Sequence, residues 1–209
     1  MEKRNTKEVI LQESLNLFSI HGFEGVSVRD IAKAVGIKES SLYKHYQNKQ
    51  AIFDSIISEM MIRYDNLSHN MGIPQGESSE AAKQYNNISE DALIQMSQGL
   101  FHFFLKDEYA SKFRRMLTIE QFRNPAASRT YTQIFIDGAL DFQCSLFAEF
   151  ITLGTFLEGD PYTMALQFYA PIFLLLNKYD HHPEKEEEAI EHVTQHVKQF
   201  NKIYHSRGK

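Results

Sequence analysis

Residues 36–53 read GIKESSLYKHYQNKQAIF, a stretch that combines lysines, hydroxyl side chains and tyrosines before it turns apolar. Ile37 and Leu42 are its apolar residues, and they are predicted to hold a short helix against the helix before it. The side chains around them carry positive charge or can hydrogen-bond, and both properties suit an anionic partner. The stretch therefore predicts a short helix whose outer face binds an anion.

Two further helices are predicted immediately before this stretch. Ser27 begins a helix of about two turns with Asp30 as its reciprocal cap, and Gly36 ends it. A longer helix is predicted to begin at Asn5, where Glu8 completes a similar capping box. Two short helices that follow a longer one and share a tight glycine-containing turn form a helix-turn-helix motif. Because the second short helix of this motif enters the DNA major groove, the sequence predicts DNA binding.

The remainder of the chain also has the periodicity of helices. Asn48 is predicted to cap a long helix whose apolar stripe runs from Ile52 to Leu67. Residues 72–89 are predicted to form a loop with at most one short helix, and residues 127–153 to form one long helix. No stretch of strict apolar and polar alternation is long enough for a sheet, so the predicted fold is all-α.

The charge of the chain is unevenly distributed. The net charge is −5, yet residues 1–50 carry eight Lys/Arg and six Asp/Glu, whereas residues 51–209 carry 14 and 21. A positive excess at one end of an acidic protein agrees with an anionic ligand that is bound at that end only.

Two features bear on the cellular compartment. Cys144 is the single cysteine and lies in an apolar stretch, so a buried free thiol is expected. The N-terminus lacks the apolar region of a signal peptide, and the longest apolar run, residues 168–176, is far shorter than the ~20 residues of a membrane span. We therefore expect a cytoplasmic protein.

Residues 26–56 read VSVRDIAKAVGIKESSLYKHYQNKQAIFDSI and resemble the DNA-binding segment of the TetR family of bacterial transcriptional repressors. The resemblance covers roughly residues 5–65. It rests on an ordered set of residues: Phe18, Gly22, Ser27, Arg29, Ile31, Ala32, Gly36, Leu42, Tyr43, Tyr46 and Lys49. The chain departs from the family at Lys38, where a Ser or Thr usually caps the recognition helix, so a weakened or displaced cap is expected here.

The resemblance also implies roles for the residues of the helix-turn-helix. It implies that Arg29 lies near base edges. Four further residues are implied to lie near bases or the adjacent backbone, namely Glu39, Ser40, Ser41 and Lys44. Three are implied to contact phosphates, namely Tyr43, His45 and Lys49. The full set of candidate DNA-binding residues is Ser27, Arg29, Lys38, Glu39, Ser40, Ser41, Tyr43, Lys44, His45 and Lys49. The alternative is an ordinary solvent-exposed helix face.

A larger C-terminal domain that binds a small inducer and dimerises is a further implication of the resemblance. We expect a DNA-binding domain over residues 1–48, a connecting helix over 49–71 and an inducer-binding and dimerisation domain over 72–209. The candidates for an apolar ligand pocket are Phe101, Phe104, Met116, Phe122, Tyr131, Phe135, Phe147 and Tyr169. The candidates for the dimer interface are Phe168, Ile172, Phe173, Leu176, Val193, Val197 and Phe200.

Together these features predict a ligand-responsive transcriptional regulator. It is expected to bind a near-palindromic operator as a homodimer, to act as a repressor, and to be released by a small, largely apolar inducer. A helical small-molecule carrier without DNA binding is an alternative, and so is an enzyme whose helix-turn-helix-like segment is incidental. No nucleophile and base pattern or phosphate-binding glycine loop is evident, so neither enzyme activity nor a cofactor is expected.

Four histidines near the C-terminus raise the question of a metal site. They are His181, His182, His192 and His196. Histidines spaced by four residues on a helix can share a metal ion. Because no cysteine or HExxH motif accompanies them, a solvent-exposed or interfacial face is favoured, and no metal is expected.

Overall fold

The computed structural model describes residues 5–74 and 76–206. Its α-helices are α1 (Thr6–His21), α2 (Val28–Val35), α3 (Glu39–Leu42), α4 (Lys49–Asn70), α5 (Ser78–Tyr85), α6 (Glu90–Lys106), α7 (Glu108–Glu120), α8 (Pro125–Thr132), α9 (Gly138–Thr152), α10 (Pro161–Tyr179) and α11 (Glu186–Tyr204). A π-helical segment (Gln133–Asp137) joins α8 to α9, and a 3₁₀ turn (Pro183–Lys185) precedes α11. Within the described ranges the only β pairing is an isolated bridge between Phe156 and His205, so the all-α prediction is confirmed.

Local capping determines where the N-terminal helices begin and end. The Ser27 hydroxyl accepts a hydrogen bond from the Asp30 N–H at 3.2 Å, and the Asp30 carboxylate accepts one from the Ser27 N–H at 2.9 Å. The predicted capping box of α2 is therefore present. Gly36 ends α2 with φ of 76°, a conformation that residues with a Cβ rarely adopt. At α1 the predicted capping box is wrong, because the Asn5 side chain bonds the Glu8 carboxylate at 2.5 Å and makes no cap bond to the backbone.

Two compact units divide the chain. The first comprises the residues up to Leu67 together with Glu108–Tyr131, and the second comprises Ser68–Asp107 together with the residues from Thr132 onward. The first unit thus includes α7 in addition to the helix-turn-helix and most of α4. The functional boundaries expected at residues 48 and 71 stay a prediction.

Aromatic side chains and one buried hydroxyl hold the first unit together. The rings of Phe18, Phe23 and Phe53 are mutually packed, with centroids 5.1–6.5 Å apart. Helix α7 lies along α1, and the buried Tyr109 hydroxyl donates to the carbonyl oxygen of Ile56 in α4 at 3.1 Å. Burial raises the pKa of Tyr109 above its usual range. Helix α7 is therefore fixed to both α1 and α4.

The second unit contains two apolar clusters. One is formed by α9, α10 and the end of α11, and its aromatic members are Phe147, Phe150, Phe156 and Phe200. The other lies among α6, α10 and α11 and includes Phe101, Leu176 and Val193. Cys144 is a free, partly buried cysteine that packs against the first cluster.

The second half of the chain differs in part from the predicted helices. Residues 72–89 contain α5, in agreement with the expectation of one short helix at most. The helix expected over residues 127–153 begins earlier and is interrupted by the π-helical segment. The Gly138 N–H bonds the Gln133 carbonyl oxygen there, and a Cβ at Gly138 would lie 2.5 Å from that oxygen. A glycine is therefore needed where the π turn closes, which the apolar periodicity did not reveal.

Candidate nucleic-acid interface

The recognition element is one short helix followed by a tight turn. Leu42 is completely buried and anchors α3 in the core of the first unit. The chain then turns, with the His45 and Tyr46 N–H groups both bonded to the Leu42 carbonyl oxygen at 2.9 and 3.1 Å. Lys38 occupies the N-cap position of α3 and makes no side-chain cap bond, as its departure from the family pattern predicted.

Most candidate DNA-binding side chains lie on the surface. The exposed members are Ser27, Arg29, Lys38, Glu39, Ser40, Tyr43, Lys44 and His45, and the half-buried members are Ser41 and Lys49. An open groove between α2 and α3 is lined by Arg29, Ala32, Lys33, Ile37, Lys38, Glu39 and Ser40. The face is thus rich in exposed cations and hydroxyl groups.

Arg29 and Glu39 connect the two short helices across this groove. The Arg29 Nε atom lies 4.0 Å from Glu39 Oε1, and their side chains are 86% and 50% exposed. A pair this exposed contributes little to stability, at most about 1 kcal/mol. At this distance the Arg29 guanidinium lies near the start of α3, whose first residue is Glu39.

Ser27 has a structural partner as well as an exposed position. Its hydroxyl donates to the Asp30 carboxylate at 2.6 Å and accepts from the Asp30 N–H. The side-chain and backbone hydrogen bonds from Ser27 lower the pKa of Asp30. The hydroxyl of Ser27 therefore stabilises the start of α2.

Lys49 is directed into the protein. Its Nζ donates to the carbonyl oxygens of Phe23 and Val26 at 2.6 and 2.9 Å, and it lies 4.1 Å from the centroid of the Phe23 ring. This geometry differs from the phosphate contact that was expected at the start of α4. The free N–H groups at the start of α4 favour an anion there, but the Lys49 side chain donates to carbonyl oxygens inside the protein.

Glu120 was missed by the sequence reasoning. It is the last residue of α7, is completely buried, and its Oε1 lies 3.4 Å from the Glu24 backbone nitrogen in the turn between α1 and α2. The two residues are 96 positions apart. No local pattern around Glu120 indicates this partner, so only the fold could reveal it.

The ligand-pocket candidates lie in different parts of the described chain. Phe101 and Phe147 belong to two different core clusters, and Met116 lies in the other compact unit. The Phe104 and Phe135 rings are in contact, with centroids 5.8 Å apart, and Tyr169 donates its hydroxyl to the Phe135 carbonyl oxygen at 2.6 Å. Tyr131 is half-buried. Phe122 is 85% exposed after the end of α7, so its assignment to a pocket wall is wrong.

Four of the dimer-interface candidates point into the protomer. They are Leu176, Val193, Val197 and Phe200, all buried in the two core clusters of the second unit. Their assignment to the dimer surface is wrong because α10 and α11 pack on each other and on neighbouring helices of the same protomer, and these side chains are used in that packing. Phe168, Ile172 and Phe173 are half-buried. The exposed apolar side chains of α10 are Tyr162, Leu166 and Leu174.

The C-terminal histidines have separate partners. His182 lies 3.2 Å from Glu184, His192 lies 3.7 Å from Glu188, and the His196 ring bonds the Phe168 carbonyl oxygen at 2.8 Å. Over residues 5–74 and 76–206 no three His, Cys, Asp or Glu side chains are grouped as a metal site requires. Over the same ranges, the helices are too short or too polar to cross a bilayer.

Comparison with known proteins identifies the N-terminal segment. Residues 10–56 match the family described as bacterial regulatory proteins, tetR family. The chain is 33% identical over 102 residues to the biofilm operon icaADBC HTH-type negative transcriptional regulator IcaR of Staphylococcus aureus strain Newman. This alignment covers 49% of this chain and 47% of that protein. It is 45% identical over 47 residues to IcaR of Staphylococcus epidermidis, covering 22% of this chain and 25% of that protein. The matched part thus spans half or less of these relatives.

Solved structures share the fold along nearly the whole chain. SmeT, the repressor of the Stenotrophomonas maltophilia multidrug efflux pump SmeDEF, has a TM-score of 0.65 and 18% identity over 98% of this chain and 93% of its own. The SmeT–triclosan complex gives the same TM-score and identity over 98% of this chain and 94% of its own. At such identities the likeness establishes the fold alone. The names of these relatives describe transcriptional regulators and repressors.

Proposed function

We propose that this chain, which belongs to the TetR family of bacterial regulatory proteins, is a ligand-responsive transcriptional repressor that binds DNA as a homodimer. The observation that carries the proposal is the exposed face of α2 and α3. Leu42 is buried, while Lys38, Tyr43 and Lys44 beside it are exposed. Cations and hydroxyl groups on a helix-turn-helix are what phosphate and base contacts require.

The proposed contacts divide into two kinds. Arg29 and the half-buried Ser41 read base edges, and Glu39 accepts a hydrogen bond from a cytosine amino group. Lys44, Tyr43 and the exposed residues beside them hold the phosphate backbone and fix the register of α3. Phosphate contacts of this kind supply affinity for any sequence, and base contacts supply the preference for one sequence.

Two copies are proposed to pair so that two recognition helices bind one near-palindromic operator. Helix α10 offers the surface for this, since Tyr162, Leu166 and Leu174 remain exposed after the protomer core has formed. An isologous contact through such an apolar face produces a two-fold axis. The paired recognition helices must then span successive major grooves, about 34–36 Å apart.

Release from DNA is proposed to follow the binding of a small apolar inducer. The SmeT–triclosan complex is one example of a small molecule bound to this fold. Helix α4 has 22 residues and is about 33 Å long, so a tilt of about 10° moves one end by about 6 Å. A ligand that binds the DNA-incompetent state a hundredfold more tightly shifts the equilibrium by about 2.7 kcal/mol. We propose that the protein carries out this function in the cytoplasm.

In vitro selection from a random DNA pool tests the proposed function. The wild-type chain is incubated with random duplexes, and bound sequences are recovered and read over several rounds. A regulator of this kind enriches one near-palindromic sequence, which is then checked by footprinting. Recovery of unenriched sequences at every salt concentration would contradict the proposal and favour the helical carrier.

A further inference from the structure

The turn between α1 and α2, residues 22–26, is held by charged side chains from two other helices. Phe23 and Val26 are buried in this turn, and Ser27 follows it directly as the cap of α2. The position of the turn in space therefore fixes the position of the N-terminal end of α2. Any group that fixes the backbone of the turn also fixes the first helix of the helix-turn-helix.

Lys49 holds the carbonyl oxygens of this turn from the start of α4. Two of its three N–H donors bond Phe23 O and Val26 O at 2.6 and 2.9 Å. The ammonium also lies 4.1 Å from the centre of the Phe23 ring, where a cation is attracted to the aromatic face. Hydrogen bonds from a charged donor are about twice as strong as neutral ones. These contacts account for most of the hydrogen-bonding capacity of the Lys49 ammonium.

Glu120 approaches the same turn from the end of α7. Its Oε1 is 3.4 Å from the Glu24 backbone nitrogen. It also occupies the space beside Gly22, since a Cβ at that glycine would lie 2.3 Å from Oε1. Glu120 Oε2 is buried without a hydrogen-bond partner among the described atoms. A buried carboxylate with an unsatisfied oxygen costs stability, so this residue is poorly explained by packing alone.

The two side chains match the polarity of the backbone that they contact. The ammonium of Lys49 faces carbonyl oxygens, and the carboxylate of Glu120 faces an N–H group. We propose that Lys49 and Glu120 are positioning residues that clamp the turn of residues 22–26 and so set the orientation of α2 relative to α4 and α7. In this role Lys49 is an internal brace and not a phosphate contact. The effect on DNA binding rests on the proposed function, whereas the clamp itself does not.

The clamp is tested first without DNA, by amide hydrogen exchange in the full-length protein. Lys49→Met removes the charge and the donors at similar length, and we expect exchange in residues 23–26 to accelerate about tenfold. Glu120→Met removes the buried carboxylate, and we expect faster exchange of the Glu24 amide with a melting temperature that is unchanged or higher. A residue with only a packing role would change local exchange and global stability together. Because the clamp needs both side chains, unchanged exchange in either variant overturns the proposal.

The second test measures DNA binding, with Lys44→Met as the matched control. The probes are the duplex enriched by in vitro selection and a random duplex of equal length. Lys44→Met is expected to flatten the slope of log K against log salt by about 0.9, because one counterion fewer is released. Lys49→Met is expected to weaken binding about tenfold with that slope unchanged. A slope flattened by about 0.9 together with unchanged exchange would make Lys49 a phosphate contact and overturn the brace.

The two tests distinguish a failure of the proposed function from a failure of the clamp. If wild-type protein enriches no duplex, the proposed function fails, and the hydrogen-exchange results alone then support or overturn the clamp. If a duplex is enriched and Glu120→Met binds it as wild type does with unchanged Glu24 exchange, the clamp fails and the function stands.

Discussion

Replacement of Arg29 by alanine is expected to reduce sequence discrimination while it leaves the fold intact. The guanidinium is 86% exposed, and its pair with Glu39 is at a separation of 4.0 Å. Loss of so exposed a pair costs at most about 1 kcal/mol. In a chain of this size that corresponds to a fall in melting temperature of no more than about 4 °C.

The expected loss of specific binding is larger. An arginine that bonds a guanine edge with two hydrogen bonds contributes about 1–3 kcal/mol of discrimination. Arg29→Ala should therefore weaken binding to the selected duplex by about 5- to 150-fold beyond its effect on random DNA. Arg29→Lys keeps the charge and loses the planar fork, so it should lose most of the same discrimination.

Fluorescence anisotropy with selected and random duplexes of equal length measures this prediction. Lys33→Ala is the matched control, because Lys33 lines the same groove and the substitution removes the same charge from α2. The control should weaken both duplexes by similar factors. If Arg29→Ala also lowers both affinities equally, Arg29 does not read bases and the assignment is wrong.

Three further predictions follow from the described contacts. Leu174→Glu places a charge on the exposed face of α10 and should give a folded monomer with weakened DNA binding; a dimer that persists in sedimentation at micromolar concentration would contradict the proposed interface. Tyr109→Phe removes the hydroxyl bond to Ile56 and should lower the free energy of unfolding in urea by about 1 kcal/mol, whereas an unchanged midpoint would count against that bond. Ser27→Ala should raise the pKa of Asp30 in an NMR titration. The lowered pKa of Asp30 in the folded wild type stabilises it in full above about pH 4, and this stabilisation is lost as pH falls through the folded-state pKa. The difference in free energy of unfolding between wild type and Ser27→Ala should therefore shrink at low pH, and a difference that does not change with pH would contradict the prediction.

The sequence predicted the helix-turn-helix well because its signals are local. The Ser27 cap and the Gly36 terminator act within a few residues, so their pattern alone defines α2. Lys49 shows the limit of such reasoning, since its partners lie 23 and 26 positions away in a turn whose position only the fold determines. The position of Lys49 at a helix start predicted a bound anion, and nothing in the local sequence indicated the carbonyl oxygens that it contacts.

The apolar stripes of α10 and α11 show a second limit. A stripe establishes that a helix face is buried, but the same residues suit the protomer's own core and a partner's surface equally well. Val197 is buried against neighbouring helices, and Leu174 is 66% exposed, although both belong to strongly apolar helices. Only the packing of the second unit separates the two, which explains why the dimer candidates were partly misassigned.

The charge distribution bears on the proposed binding of DNA by an acidic chain. The net charge of −5 arises outside the helix-turn-helix, and exposed charges further than about 8 Å apart are largely screened at physiological ionic strength. Within the motif, the Asp30 carboxylate bonds Ser27 at the positive start of α2, and Glu39 faces Arg29. Lys38 and Lys44 remain exposed beside them. The Asp30 carboxylate is thus directed to a protein group, and Lys38 and Lys44 supply the positive charge beside the half-exposed Glu39.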